Sequence, residues 1–370
     1  MSRCSLRWVA YRLPFARPVA TAHGRLEQRV GAVVQLSDPD GATGLGELAP
    51  LPHLAERELD RALELLEEFR NDIERGEPEL ERLLAGWHDW TPAGRALRAA
   101  LETAWLDLKA RRLGLPLARW LSAEARTAVP VNAVVTAPTI AAAVDEARAA
   151  VAAGFRTVKL KAGVAGSEAE EVERVAAVRE AIGPGVRLRL DANGAWTIEQ
   201  AVRLLRTLVP YEVELVEQPV PGSDLEGLAA VHRRVPVPVA ADEAVTGPEA
   251  ARRILELEAA DALVLKLPVV GGIIPAREIA ELAAGRGCAV IVTSAFEAGV
   301  GVAAALHLAA SLPELSPACG LATASLLAET LVREPLVACR GSLRLPPGPG
   351  LGVTLDTAAL ERWRQGREGR

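Results

Sequence analysis

Lysine is nearly absent from this chain. Four lysines, Lys109, Lys159, Lys161 and Lys266, stand against 38 arginines in 370 residues, although lysine is normally among the commonest residues. Two of the four sit one residue apart in "VKLK", 158–161. Other absences narrow the function. The four cysteines, Cys4, Cys288, Cys319 and Cys339, are too widely spaced for a CxxC or zinc-ribbon pattern. Each reads as a small buried or partly buried residue in a reducing compartment, which points to a cytoplasmic protein. No run of eighteen apolar residues lacks a charge, so no membrane span is expected. The opening "MSRCSLRWVAYRLPF" has too short an apolar run for a signal peptide. A formal net charge of −6 argues against nucleic acid as a partner. "GPGLG" at 348–352 lacks the Lys-Ser/Thr of a phosphate-binding loop.

What is present falls into three segments. Residues 1–127 read as an α+β domain. Two strand-like stretches meet at "DPDG", 38–41, a strong hairpin turn signal. Helical periodicity follows at about 57–75, 77–87 and 94–112. From 128 to 321 short apolar strands alternate with helices, the βα pattern of a parallel sheet. Strand ends at 161, 191, 217, 242, 266 and 294 recur every 24 to 30 residues. With a first strand at 131–136 and a weak last one near 317–320, this predicts an α/β fold, a modified TIM barrel of the (β/α)7β type. A doubly wound open sheet is the alternative, but the glycine loop expected after its first strand is missing. Residues 322–370 read as a helical "LATASLLAETLV" followed by extended chain. That segment is expected to complete the barrel edge and the N-terminal cap.

Functional residues of a barrel sit at the C-terminal ends of its strands. Read in order, those ends are Lys159 and Lys161, Asp191, Glu217, Asp242 and Lys266. Three carboxylates on successive strands converge and repel unless something neutralises them. A hard divalent cation, Mg2+ or its substitute Mn2+, suits an all-oxygen ligand set. Zinc would call for cysteine or histidine. A strand has a side-chain period of two, so Lys159 and Lys161 share a face. Lys266 comes from the strand four further on, roughly across the barrel. Crowded positive charge and burial are expected to lower a lysine pKa toward that of a general base, a role closed to arginine. Lys109 lies on a helix outside the barrel and reads as structural. The constellation thus points to metal-assisted removal of a proton α to a carboxylate, with a small-molecule carboxylate as partner. A non-catalytic binding barrel is the contrasting class, and a homo-oligomer is compatible with the chain.

The lysine pair, the Asp/Glu/Asp series and the sixth-strand lysine together resemble the enolase superfamily, specifically its muconate-lactonising subgroup. The resemblance covers nearly the whole chain and implies a capping domain completed by C-terminal residues. Local stretches such as "GLGELAPLP", "VEQPV", "VTSAFEAGVG" and "ACGLATASLLAETLV" are similar to those of the o-succinylbenzoate synthases of menaquinone biosynthesis. That likeness implies dehydration of 2-succinyl-6-hydroxy-2,4-cyclohexadiene-1-carboxylate to 2-succinylbenzoate. Lys161 would take the α-proton and help the hydroxide leave, Lys266 would stabilise the enediolate, and Lys159 would tune Lys161. Asn193 and Glu243 would stand behind the ligands and either orient them or pair with a lysine. Thr293, Ser294 and Gly272 would line the succinyl side, with His23 as a further substrate contact. A mobile cap loop is expected at 15–29. N-succinylamino acid racemases and muconate cycloisomerases use the same opposed lysines and remain alternatives. Near the seventh strand, where mandelate racemases use a histidine, Thr293 and Ser294 stand instead and His307 comes only thirteen residues past Ser294, and "ACGLATAS" lacks the DxD of dipeptide epimerases.

Overall fold

Two kinds of hydrophobic pattern build two sheets in one chain. The computed structural model describes residues 4–21, 24–313, 318–334 and 336–369. The N-terminal strands β1 (Ser5–Thr21), β2 (Gly24–Ser37) and β3 (Thr43–Leu48) pair antiparallel. The "DPDG" turn closes β2 onto β3, with Gly41 N–H donating to Asp38 O at 3.2 Å and Gly41 at φ 88°. In the segment 15–29, expected to be a mobile cap loop, the described residues 15–21 and 24–29 belong to β1 and β2. Val19 pairs with Leu26 and Thr21 with Gly24 after a register shift beyond Pro14. His23 lies outside the described residues.

Strand β3 shows why "TGLGEL" reads as it does. Gly44 and Gly46 face the helix Pro92–Arg112 at backbone contact, and a Cβ at either would lie 2.0 Å from a helix carbonyl oxygen. The pleat then turns Glu47 the other way, toward the barrel. Its carboxylate accepts from Ala298 N at 2.6 Å and Gly301 N at 2.7 Å, and from Tyr11 Oη at 2.5 Å. A buried acid of the cap thereby satisfies the free N–H groups at the start of the barrel helix Gly299–Ser311.

The second sheet is parallel. After β4 (Ala128–Pro130) come β5 (Ala133–Val135), β6 (Thr157–Lys161), β7 (Arg187–Asp191), β8 (Val213–Glu217), β9 (Val239–Ala241), β10 (Ala262–Leu265) and β11 (Ala289–Val292). Strands β5 to β11 lie in sequence order, each followed by a helix. Side-chain oxygens of Thr139, Ser167, Thr197 and Asp224 cap four of those helices, as their short polar side chains favour. The sheet closes through the weak eighth strand. Thr293 bridges Gly320 and Val131 bridges Cys319, both parallel. This is a modified (β/α)7β TIM barrel with an α+β cap. Leu215, Ala240, Ala262, Val264 and Ile291 form a small apolar cluster of their own, separate from the main core. They are the barrel's inward-pointing set, and the charged strand ends stand above them.

The C-terminal segment returns to both layers. Strand β12 (Ser342–Arg344) pairs with β4, and β13 (Arg364–Gly369) adds to the outer edge of β1. The helix expected over 321–332 is not formed. Only a 3-10 turn, Ala324–Leu326, is present. Extended pairing wins there because Leu327 bridges Phe15 and Val332 bridges Leu355. Cys339, read as buried or partly buried, is exposed, while Cys319 closes the barrel. No described helix is long and apolar enough to cross a membrane.

Every residue of the helix Gly299–Ser311 is buried. His307 accepts from Ala118 N at Nδ1, 2.9 Å, and its Nε2 lies 3.1 Å from Leu351 O. Burial pulls its pKa down from 6.5 to about 4, against a smaller opposing effect of the Leu351 carbonyl. The unfolded chain therefore binds the proton first. The stabilisation is complete above pH 6.5 and is lost as pH falls toward 4, an amount of about 3 kcal/mol. Urea unfolding of wild type and His307→Gln should show the wild-type advantage shrinking by that amount from pH 7 to pH 4. A gap that stays constant over this range contradicts the assignment.

Candidate active site

The ends of five barrel strands deliver the charged residues to one place, with Lys159 and Lys161 both on β6. Asp191 and Glu217 are the last residues of β7 and β8. Asp242 and Lys266 each follow the last residue of β9 and β10. Asp191, Glu217 and Asp242 are all buried, and each offers a carboxylate oxygen within 4.8 Å of the others. Lys159 Nζ lies 2.9 Å from Glu217 Oε2 and 3.2 Å from Asp191 Oδ2. Lys161 Nζ donates to Asp191 Oδ2 at 2.7 Å and Asn193 Oδ1 at 2.8 Å. On the other side Lys266 Nζ donates to Asp242 Oδ2 at 2.7 Å. Behind them Asn193 Nδ2 donates to Glu243 Oε1 at 2.9 Å.

These groups open into a cavity of about 740 Å³, counting its mouth. Lys159, Lys161, Asp191, Asn193, Glu243 and Lys266 form its floor and one side. Thr293, Ser294, Phe296, Gly320 and Thr323 form the facing wall, and Leu26, Leu51, Pro52 and His53 of the cap roof it. Two lysines thus flank a hard-oxygen cluster beneath cap residues that are apolar except for His53. Comparison with known proteins agrees with that arrangement. Residues 142–359 match the family described as enolase C-terminal domain-like.

The chain belongs to the enolase superfamily. Residues 4–84 also match the family described as MenC, N-terminal domain. Among curated relatives, an o-succinylbenzoate synthase of Thermobifida fusca is 42% identical over 76% of this chain and 85% of its own length. A muconate cycloisomerase 1 of Rhodococcus opacus is 34% identical, covering 77% of this chain and 75% of its own. A hydrophobic dipeptide epimerase of Enterococcus faecalis is 32% identical over 90% of this chain and 94% of its own. The crystal structure of a muconate lactonizing enzyme from Pseudomonas fluorescens superposes with a TM-score of 0.92 at 27% identity, covering 98% of this chain and 100% of that one.

The superfamily site contains surprises relative to its sequence. Repulsion among the three carboxylates does not by itself require a metal, because each one faces a lysine ammonium. The metal reading rests instead on the donor set: three buried oxygens in reach of one centre, with no cysteine or histidine among them. The pKa directions also differ from expectation. Burial works to lower Lys159 and Lys266, but the facing carboxylates outweigh it. Glu217, Asp191 and Asp242 hold Lys159 above its ordinary value, and Asp242 and Glu243 do the same for Lys266. Burial raises Asp191, yet Lys161 and Lys159 overcome it and hold the carboxyl well below the usual range. Burial, then the Asp242 charge, pushes Glu243 up to about 7. A divalent cation taking the three carboxylates would free the lysines from these partners and leave burial dominant.

Thr293 and Ser294 line the cavity; Gly272 does not. Gly272, at φ 127°, starts the helix Ile273–Ala284, and a Cβ there would lie 2.3 Å from Glu102 Oε2 of the cap. It is a seam between cap and barrel, where Glu102 Oε2 accepts from Ile274 N at 3.0 Å. Lys109 pairs with Glu81 at 2.5 Å and lies 4.1 Å over the Trp105 ring. In the loop after β6, Gly163 N donates to Glu171 Oε2 at 2.8 Å, and the Ser167 side chain caps the helix Glu168–Ile182.

Two residues escaped sequence reasoning. Gln218 is fully buried at φ 40°, and its Oε1 accepts from Asp242 N at 2.9 Å and Ala244 N at 3.2 Å. It locks the end of β8 to the loop carrying Asp242. Glu297 Oε2 accepts from Ser294 Oγ and Ala295 N, each at 2.6 Å, shaping the wall after β11. A polar residue beside an apolar strand end was the only sequence signal for either.

Proposed function

We propose that this enzyme removes the proton α to a carboxylate held at Asp191, Glu217 and Asp242, with Lys161 and Lys266 acting from opposite sides. The observation that carries this reading is the lysine pair across the carboxylate cluster, within a roofed cavity. A divalent cation, Mg2+ or Mn2+, bound by the three carboxylates would supply Lewis acidity that stabilises the charge developing on the substrate carboxylate. Lys159 contributes fixed positive charge beside Lys161. Asn193, tied to Glu243, orients the Lys161 amine. The apolar cap residues exclude water from the reacting carbon.

The substrate we infer is a succinyl-bearing carboxylate, and two reactions fit. In racemisation of an N-succinylamino acid, one lysine takes the α-proton and the other delivers a proton to the opposite face. Lysines on both sides, together with epimerase and cycloisomerase relatives that cover most of the chain, support this reading. In dehydration of 2-succinyl-6-hydroxy-2,4-cyclohexadiene-1-carboxylate, Lys161 takes the α-proton and returns a proton to the departing hydroxide. Water leaves, the ring becomes aromatic, and Lys266 serves as a cation throughout. The 42% identical synthase and the MenC N-terminal match support this second reading. Some enzymes of such a site carry out both. Comparing kcat/KM for the cyclohexadiene and for N-succinylamino acids separates them. Turnover of neither overturns the proposal.

A further inference from the structure

A buried ion pair outside the barrel holds the end of the strand that carries Lys161. Arg174 and Glu171 lie on the helix Glu168–Ile182, 1% and 3% exposed. Arg174 donates from Nη1 to the backbone carbonyl of Lys161, and from Nη2 to Ala137 O at 2.6 Å. Glu171 Oε2 accepts from Gly163 N at 2.8 Å and from Ala165 N at 3.5 Å. These backbone groups belong to the end of β6, the turn after it, and the turn after β5. Neither Arg174 nor Glu171 lines the cavity.

The pair is poorly satisfied for its depth. Burial lowers the Arg174 pKa and raises that of Glu171. Arg174 Nη1 and Glu171 Oε1 stand 3.7 Å apart, beyond hydrogen-bond reach. Arg174 Nε and Glu171 Oε1 have no hydrogen-bond partner among the described residues. Such a pair adds little stability over an apolar pair of the same shape. It solves a local problem instead. The β5–β6 ladder ends at the Val135–Leu160 pair, and the next N–H groups of that chain, of Thr136 and Ala137, donate to Glu146 Oε2. The Lys161 carbonyl lies past this ladder, where Arg174 holds it. The Lys161 amine is held by Asp191 and Asn193, and Asp191 is one of the carboxylates a cation would take. Lys266 is seated differently: its carbonyl accepts from Val269 N at 2.8 Å and Val270 N at 3.0 Å.

We propose that Arg174, with Glu171 as its counter-charge, is a positioning residue that keeps Lys161 at proton-transfer distance from the substrate α-carbon without touching the substrate. It serves Lys161 and not Lys266. The inference rests on the functional reading above and assigns a support to one of its two lysines.

The test compares the full chain in Mg2+ as wild type, Arg174→Lys, the double variant Arg174→Met/Glu171→Gln, and Arg179→Met. Removing both charges together leaves no unpaired buried ion, so the double variant is expected to fold. Arg179, on the same helix, donates to Gly183 O and Val186 O at the opposite end of the barrel, each at 2.8 Å, and is the control for loss of a structural arginine. Exchange of the α-hydrogen with deuterated solvent, measured in recovered substrate of each N-succinylamino acid enantiomer, reads the two lysines separately. Lys161→Ala identifies the enantiomer that presents its proton to Lys161. The double variant should exchange that enantiomer about tenfold or more slowly, through kcat rather than KM, and the other within about twofold of wild type. Arg174→Lys keeps the charge but reaches one carbonyl at a time. It should show the same bias at smaller size, and it carries the test if the double variant unfolds. Arg179→Met should lower Tm and favour neither face. If the cyclohexadiene is the working substrate, the double variant should lose kcat in dehydration and keep its KM. Equal loss on both faces, a dehydration loss that lies in KM, or wild-type rates throughout overturn the Arg174 assignment alone. Turnover of neither succinyl substrate by the wild type overturns the functional reading and this role with it.

Discussion

Lys161→Ala is expected to lower kcat by about 10³-fold or more, the span a positioned base commonly contributes. The variant should still fold, because Asp191 keeps Lys159 at 3.2 Å as a counter-charge. Exchange of the substrate α-hydrogen with deuterated solvent is the most direct readout. Lys266 then separates the two proposed reactions. Arginine keeps the positive charge but cannot give up its proton. If Lys266 is only a cation, Lys266→Arg should retain clearly more dehydration activity than Lys266→Ala. If Lys266 is a base or acid, both variants should be equally dead in racemisation. Normal turnover by Lys161→Ala or Lys266→Ala would sink the two-lysine mechanism.

Removal of the metal should have an effect of the same order. Exhaustive chelation is expected to abolish activity, and Mg2+ or Mn2+ to restore it. Without the cation the three carboxylates are paired with three lysines, so the lysines remain engaged where a substrate needs them. A stability readout is independent of turnover. At a hundredfold excess over Kd, a cation binding only the folded state adds about 2.7 kcal/mol, visible as a raised Tm. Glu217→Gln should lose both activity and the metal-induced rise in Tm. It should also be less stable without metal, because it strips Lys159 of its 2.9 Å partner in a buried setting. Full activity after chelation would rule out the metal role.

Much of the architecture was legible before any coordinates. The βα alternation at 24 to 30 residues survives as strands β6 to β11, because it reflects the period of a repeated local unit. The helix expected over 321–332 was misread for the opposite reason. Its apolar spacing is helical, but bridges to Phe15 and Leu355 hold it extended, and those partners are remote in sequence. The hairpin arm at 15–29 is a similar case, since its bent register is set by cross-strand pairing.

The site divides along the same line. Residue identity and strand period alone determined that Lys159, Lys161, Asp191, Glu217, Asp242 and Lys266 would meet, because they stand at or near the ends of five successive strands in a closed sheet, the two lysines of β6 on one face. Only the tertiary structure decided how their charges pair, and that pairing reversed the expected direction for Lys159 and Lys266. It also decided that Gly272 belongs to the cap seam and that Arg174 holds the carbonyls of Lys161 and Ala137. Electrostatic balance and hydrogen-bond satisfaction depend on groups brought together from distant parts of the chain, so no local pattern encodes them.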